Sequence, residues 1–325
     1  MLDRAAASRA RARACAFFTV AELSRSRKAE ARQLWGKVQG ALDLPLPDFF
    51  KLVSRATGAG IDVVQQTHAS ILHRMRKLGP RATVVERGTP QYPPRLGEVA
   101  DAPAFLFVVG DLDLLYRPAI AVVGTRQPSE DGARRARKLG YLLSQRGIVV
   151  VSGLARGIDK AAHLGALEGG GQTVAVLGTP VDRVYPQEHA ALQELIAETG
   201  ALVSQFYPGE RVQRYFFPMR NAVMSGLSLG TVVVEASETS GALIQARKCL
   251  QQGRKLFIPQ SAIERPDLTW PKTFAARGAH VFRTIEDLLM VLEEDGLIPQ
   301  QEPFTAQRTV ASAPPLLTVD VRRAE

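Results

Sequence analysis

Ala119-Ile120-Ala121-Val122-Val123-Gly124-Thr125-Arg126 is the stretch on which the fold turns. Apolar residues run without a polar interruption and stop at a glycine, the pattern of a strand buried on both faces. The device recurs downstream. Ile148-Val149-Val150-Val151 ends in Ser152-Gly153-Leu154-Ala155-Arg156-Gly157-Ile158-Asp159, and a basic helical segment, residues 131–145, lies between. Further apolar runs at 173–177, 202–204, 231–235, 255–258 and 280–282 alternate with helix-length segments at 160–168, 187–198, 218–227 and 242–251. Strands of this kind without an internal repeat predict an α/β fold with a doubly wound, mostly parallel sheet rather than a closed eight-fold barrel.

Outward from this region the pattern changes. Residues 1 to about 85 read as a small, basic, helical N-terminal domain, with helical segments at 21–38 and 48–78. They are broken at Leu42-Asp43-Leu44-Pro45-Leu46-Pro47-Asp48 and at Gly58-Ala59-Gly60. The first twenty residues read as a solvated helix or arm, because arginines interrupt any apolar signal core. Residues 86–118 form a connector with Gln91-Tyr92-Pro93-Pro94 and a short strand candidate at 104–109. Residues 119–295 carry the sheet, and 296–325, rich in Pro, Gln, Ala and Thr, are expected to be disordered.

The 325 residues are 46% hydrophobic and 22% charged, which allows a sizeable core, and no apolar run is long enough for a membrane span. A net charge of +9 favours a polyanionic partner, with clusters at Arg4, Arg9, Arg11 and Arg13 and at Arg134, Arg135, Arg137 and Lys138. Cys15 and Cys249 show neither metal spacing nor a disulfide framework, which fits a reducing cytoplasm.

Candidate chemistry gathers at the strand ends, where open parallel sheets bind ligands. Gly124 permits a tight turn, Thr125 offers a hydroxyl, and Arg126 offers a planar fork for phosphate. Ser129 or Glu130 would cap the next helix, whose first amides favour anions. The dinucleotide fingerprint G-x-G-x-x-G is absent. Arg156 would point into the same crevice, with Asp159 capping its helix or orienting Arg156. His163 stands four residues beyond Asp159, and a packed histidine beside a capping aspartate outweighs a catalytic pair. Residues 178–186, with two prolines and Tyr185, form a stiff loop at the crevice rim. In Phe216-Phe217-Pro218-Met219-Arg220-Asn221, aromatics can stack on unpaired bases while Arg220 meets phosphate. Phe217 is assigned to the core there, and Tyr215 or Phe216 to the surface. Ser240 and Gly241 open an apolar helix, a cap and an anion-receptive terminus together.

Taken in order, AVVGTRQPSEDG, VVVSGLARGIDKAAHLGAL, TVAVLGTPVDRVYPQEH, FFPMRNAVMSGLSLGTVVVEASETSGAL and QGRKLFIP resemble the DNA-processing protein A (DprA/Smf) family over roughly residues 90 to 290. The resemblance implies an extended Rossmann-like fold and a non-catalytic, cofactor-free, cytoplasmic protein of DNA uptake and recombination. It also implies single-stranded DNA binding, delivery of that DNA to a RecA-type recombinase, and a homodimer. Carried onto this sequence, it implicates Arg126 and Arg220, with Gly124, Thr125, Ser240 and Gly241 as backbone or hydroxyl contacts. Arg156, Phe217 and Asn221 complete the candidate set, and no metal site is expected.

The chain departs from the family pattern in several places. Ala222 stands where a second island arginine is usual, which predicts weaker DNA affinity. Gln260 replaces a glycine after Pro259, residues 267–272 lack the usual loop, and no winged-helix segment follows residue 295. Two other function classes therefore stay open. One is a nucleotide-processing enzyme or sensor resembling the lonely-guy phosphoribohydrolases, although Gln245 stands where their glutamate would be. The other is a partner-regulated module of an antiviral or toxin–antitoxin system.

Overall fold

The computed structural model describes residues 4–24 and 44–299. Nine strands form a single sheet in the order β1-β2-β6-β5-β4-β3-β7-β8-β9. The strands are β1 (Ala82–Glu86), β2 (Phe105–Gly110), β3 (Ala119–Val123), β4 (Val149–Ser152), β5 (Thr173–Val176), β6 (Ala201–Ser204), β7 (Gly230–Val233), β8 (Lys255–Pro259) and β9 (His280–Phe282). From β6 through to β9 all pairings are parallel, while β1–β2 and β2–β6 are antiparallel. The doubly wound, mostly parallel sheet expected from the sequence is thus present, in a Rossmann-like α/β fold.

The labelled helices are α1 (Arg4–Leu23), α2 (Leu46–Thr57), α3 (Ile61–Lys77), α4 (Glu130–Gln145), α5 (Ile158–Glu168), α6 (Ala190–Thr199), α7 (Phe216–Leu227), α8 (Ala242–Gln251) and α9 (Ile285–Glu294). They cover both faces of the sheet. Ala119, Ala121 and Val123 of β3 pack with Val223, Leu227 and Leu243 on one side. The alternate residues Ile120 and Val122 pack with Leu139, Leu143 and Ile158 on the other. The period-two alternation of a strand sends successive side chains to opposite layers, so a continuous apolar run is needed to fill both.

The N-terminal region differs from expectation in two respects. Residues 82–86 are strand β1, paired with β2 from Ala82↔Val109 to Glu86↔Phe105, rather than the end of a helical stretch. Its β-branched residues Thr83, Val84 and Val85 favour a pleated surface, but five residues give too short a pattern to stand out. Second, α1 is no solvated arm: Ala14, Cys15 and Phe18 are buried. The Phe18 ring lies 5.6 Å from that of Phe107 and 5.1 Å from that of Tyr207, and Arg13 pairs with Glu86 at 2.9 Å. The helix expected over 21–38 falls outside the described residues from residue 25, as does the expected disordered tail from residue 300. Ile298, within the stretch 296–325 expected to be disordered, is instead buried against the α9 side of the core. No helix among the described residues is long and apolar enough to cross a membrane.

Candidate functional site

Strand order reverses at β3, which has β4 on one side and β7 on the other. Chains leaving the two sides of such a switch point diverge and open a crevice at the strand ends. A cavity of about 430 Å³ occupies that place. Gly124, Thr125 and Arg126 line it from the end of β3, and Ser240, Gly241 and Gln245 line it from the segment after β7 and from α8. Phe217, Arg220 and Asn221 of α7 close the third wall. Eight of the nine candidate residues are thereby brought together.

Arg156 is the exception. The turn after β4 reaches the crevice through Ala155 and Asp159, but Arg156 is not among the residues that line it. Its guanidinium is exposed and pairs with Glu188, holding that carboxyl down at about 2. Asp159 does not orient it either. The Asp159 carboxylate accepts hydrogen bonds from the amides of Gly153 (3.1 Å) and Ala155 (3.4 Å), fastening the turn after β4.

Arg220 is 6% exposed. Its Nη1 donates to the carbonyls of Gly153 (2.6 Å) and Val176 (2.7 Å), and its Nε donates to Asn221 Oδ1 (3.1 Å). One cation thus ties the ends of β4 and β5 to α7. Burial raises the pKa of Asp159, and the nearby charges of Arg220 and Arg126 oppose that rise. Burial also lowers that of Arg220, with Asp159 opposing and the like charge of Arg126 adding to the effect. A guanidinium stays protonated in proteins. The cavity therefore holds two cations that repel each other against one buried carboxyl group.

Two strand-end glycines serve packing. A β-carbon at Gly153 would fall on the Arg220 guanidinium, and one at Gly178 would fall on the Phe217 ring. These strand ends are small so that α7 can reach over them. Gly124 is equally confined, by Ile158 and the Glu235 carbonyl. Of the two glycines that line the cavity, Gly124 and Gly241, it is Gly241 that faces open space.

The aromatic assignments reverse. Phe216 is 2% exposed and stacks on Phe206 with centroids 3.8 Å apart, whereas Phe217 is half-buried and lines the cavity. Phe217 also meets Tyr185 at 5.4 Å, so the stiff loop does sit on the rim. Tyr215 is exposed, as expected. A helix register explains the swap, because the residue next to a core position points about 100° away from it.

The first turn of α4 is not open to a ligand. Ser129 caps it through Gly132 N (3.0 Å), and the Glu235 carboxylate accepts from Ser129 N (3.0 Å) and Ser129 Oγ (2.7 Å). A residue of the chain already serves as the anion there. At α8 the Ser240 hydroxyl accepts from Ala242 N at 3.2 Å, and Thr125 Oγ1 accepts from Gln127 N at 3.2 Å. Both hydroxyls keep their hydrogens to donate. The Asp159–His163 alternative is not formed: His163 is fully buried and its Nδ1 bonds Thr173 Oγ1 at 2.8 Å.

Sequence reasoning did not place Glu235 on the α4 terminus, Asp159 opposite Arg220, or Gln245 in the cavity wall. For Gln245 a signal existed, since a glutamine occupies a core-facing position of an apolar helix.

Fold and site together define a Rossmann-like α/β protein with a cation-lined crevice at the switch point of its sheet. Residues 83–293 match the DNA recombination-mediator protein A family, and the chain belongs to that family. It is 44% identical over 174 residues to the DNA processing protein DprA of Streptococcus pneumoniae, covering 53% of this chain and 61% of that protein. Protein Smf of Escherichia coli is 41% identical over 203 residues, covering 62% of this chain and 54% of that protein. The matched stretch thus spans little more than half the length of these relatives. The X-ray structure of the Streptococcus pneumoniae protein superposes with a TM-score of 0.68 at 31% identity, covering 84% of this chain and 95% of that one. DNA processing protein A of Helicobacter pylori, whose structure is described for its single-stranded DNA binding mode, superposes at 0.58 with 26% identity, covering 66% of this chain and 97% of that one.

Proposed function

We propose that the chain binds single-stranded DNA in the crevice between Arg126 and Arg220, without catalysing a reaction. The carrying observation is the charge imbalance of the cavity: two guanidiniums face it, and the one carboxylate lining it, Asp159, is buried and held by two amides. A DNA phosphate restores the balance. Arg126 takes it at the exposed mouth, and the Ser240 and Thr125 hydroxyls with the Gly241 amide supply neutral donors. The half-buried Phe217, backed by Tyr185, offers a stacking surface for a base. The structure of the Helicobacter pylori relative is described for its single-stranded DNA binding mode, which supports the same reading.

The non-enzymatic reading is supported by two features: Asp159, the carboxyl lining the cavity, is fastened to the Gly153 and Ala155 amides, and Gln245 occupies the wall where a free carboxylate would be needed. No cofactor is required. Family membership further supports a cytoplasmic homodimer that protects the strand and hands it to a RecA-type recombinase. The direct test is titration of labelled oligothymidylate against rising salt, with nucleoside monophosphates as competitors. Salt-sensitive binding to the strand is expected. Salt-independent binding, or release of free base from the monophosphates, would replace this reading with the nucleotide-enzyme one.

A further inference from the structure

The loop after β3, residues 124–129, presents Arg126 to the crevice. Among the described residues the exposed Arg126 guanidinium has no hydrogen-bonding or ion-pair partner, so its aim is set by the loop beneath it. One residue just past β7 grips that loop at both ends. The Glu235 carbonyl accepts from Thr125 N at 2.7 Å. The Glu235 carboxylate accepts from Ser129 N at 3.0 Å and from Ser129 Oγ at 2.7 Å. Arg126 lies between the two grips. The turn after β4 supports the loop from below. Ile158 N donates to the Thr125 carbonyl at 3.2 Å, and a β-carbon at Gly157 would fall on the Thr125 carbonyl oxygen and on the Arg126 carbonyl carbon.

The seat of the carboxylate is built for it. A β-carbon at Gly132 would fall on Glu235 Oε2. Glycine is a poor helix former, and this one, in the first turn of α4, gives the carboxylate its room. Capping alone does not call for the arrangement, because Ser129 already caps α4 through Gly132 N. Direct binding does not call for it either. Glu235 is not among the residues that line the crevice, and its charge has the wrong sign for a phosphate. What it supplies is geometry, since a loop held in its bound shape need not be ordered when the ligand arrives.

Building on the DNA reading, we propose that Glu235 is a positioning residue for strand binding: gripping Thr125 and Ser129 together, it fixes the loop that aims Arg126 at the phosphate.

The test uses the full chain as wild type, Glu235→Ala and Glu235→Gln, each with and without Arg126→Ala. All are titrated with labelled oligothymidylate at low salt. Alanine and glutamine remove the same charge, but glutamine can still bridge to Ser129, so the difference between them reports the grip. Glu235→Ala should bind about threefold to tenfold more weakly than Glu235→Gln, the scale of ordering one long side chain on binding. On the Arg126→Ala background the two should bind within about twofold of each other, because residues acting through one contact lose their effect together. Should Glu235→Ala fold poorly, Gly132→Ala carries the same test against wild type, since its β-carbon displaces the carboxylate. Equal or tighter binding by Glu235→Ala, or a difference kept in full on the Arg126→Ala background, overturns the proposal. Those results leave the DNA reading standing as long as wild type binds the strand with salt sensitivity and Arg126→Ala weakens it. Absence of strand binding by wild type would end both.

Discussion

The Arg220 guanidinium occupies the space that a β-carbon on Gly153 would need. The residue that faces the crevice is thus also a fastener of the sheet, bonded to the carbonyls at the ends of β4 and β5. Gly153→Ala and Arg220→Leu should therefore act alike. Removing one member of a buried charged network costs about 3–5 kcal/mol, so thermal unfolding of either variant should shift well below wild type. An unchanged melting temperature in Arg220→Leu would show that the two carbonyl contacts carry little.

Arg126 separates binding from stability. It is exposed, so Arg126→Ala should melt within about 0.5 kcal/mol of wild type. DNA affinity at low salt should fall about tenfold. The slope of log K against log salt should shrink by about 0.7, the value for one phosphate contact on a single strand. Anisotropy titrations across a salt series read both numbers.

Gly241 is the strand-end glycine with nothing near its missing side chain, and its neighbours already form a helix start. Gly241→Ala should stabilise the fold slightly, by about 0.4–1 kcal/mol, through the unfolded chain. A simultaneous loss of DNA affinity would show that the ligand comes close to the backbone there. Unchanged affinity would remove the Gly241 amide from the site.

Arg156 pairs with Glu188 on the far side of β4. Arg156→Ala should leave oligothymidylate binding at low salt within about twofold, because one exposed charge outside the crevice adds only a screened contribution. A loss as large as that of Arg126→Ala would place the strand across the β4 turn as well.

His163 sets an acid limit on the fold. Burial pushes its pKa from 6.5 down to about 3, helped by the nearby charges of His189 and Arg220. A depressed folded value means that the native state holds fewer protons than the unfolded chain between these limits. The contribution is complete above 6.5 and lost as pH falls toward 3, by up to about 1.4 kcal/mol per pH unit. Urea unfolding of His163→Gln over that range should show a flatter acid limb. A parallel slope would assign the acid sensitivity to other groups.

The parallel sheet was legible because uninterrupted apolar strands such as 119–123 leave few alternatives to burial on both faces. The crevice was legible residue by residue for a related reason: small residues, hydroxyls and arginines collect where those strands end. What strand-end chemistry cannot convey is which side chain of a turn faces inward: the turns after β3 and β4 both reach the cavity, yet Arg126 lines it and Arg156 pairs with Glu188 instead. Phe216 and Phe217 were exchanged because adjacent aromatics look alike until the helix phase is known. Glu235 escaped notice because the α4 terminus it serves lies 106 residues away in sequence.

Strand β1 changes how truncations of this chain should be interpreted. It covers one side of β2, whose other side is held by β6. Cutting the chain near residue 86 would strip that cover together with the aromatic packing of α1. Phe105–Gly110 would become an open edge, flanked by newly exposed Phe105 and Phe107. Bare apolar edges recruit strands from other molecules. A shortened protein that clumps, or gathers new companions in a pull-down, would then be reporting a template for aggregation and not the loss of a regulatory partner. Point changes on the outer surfaces of α2 and α3 leave that edge closed and are the sounder way to ask what the N-terminal helices recognise.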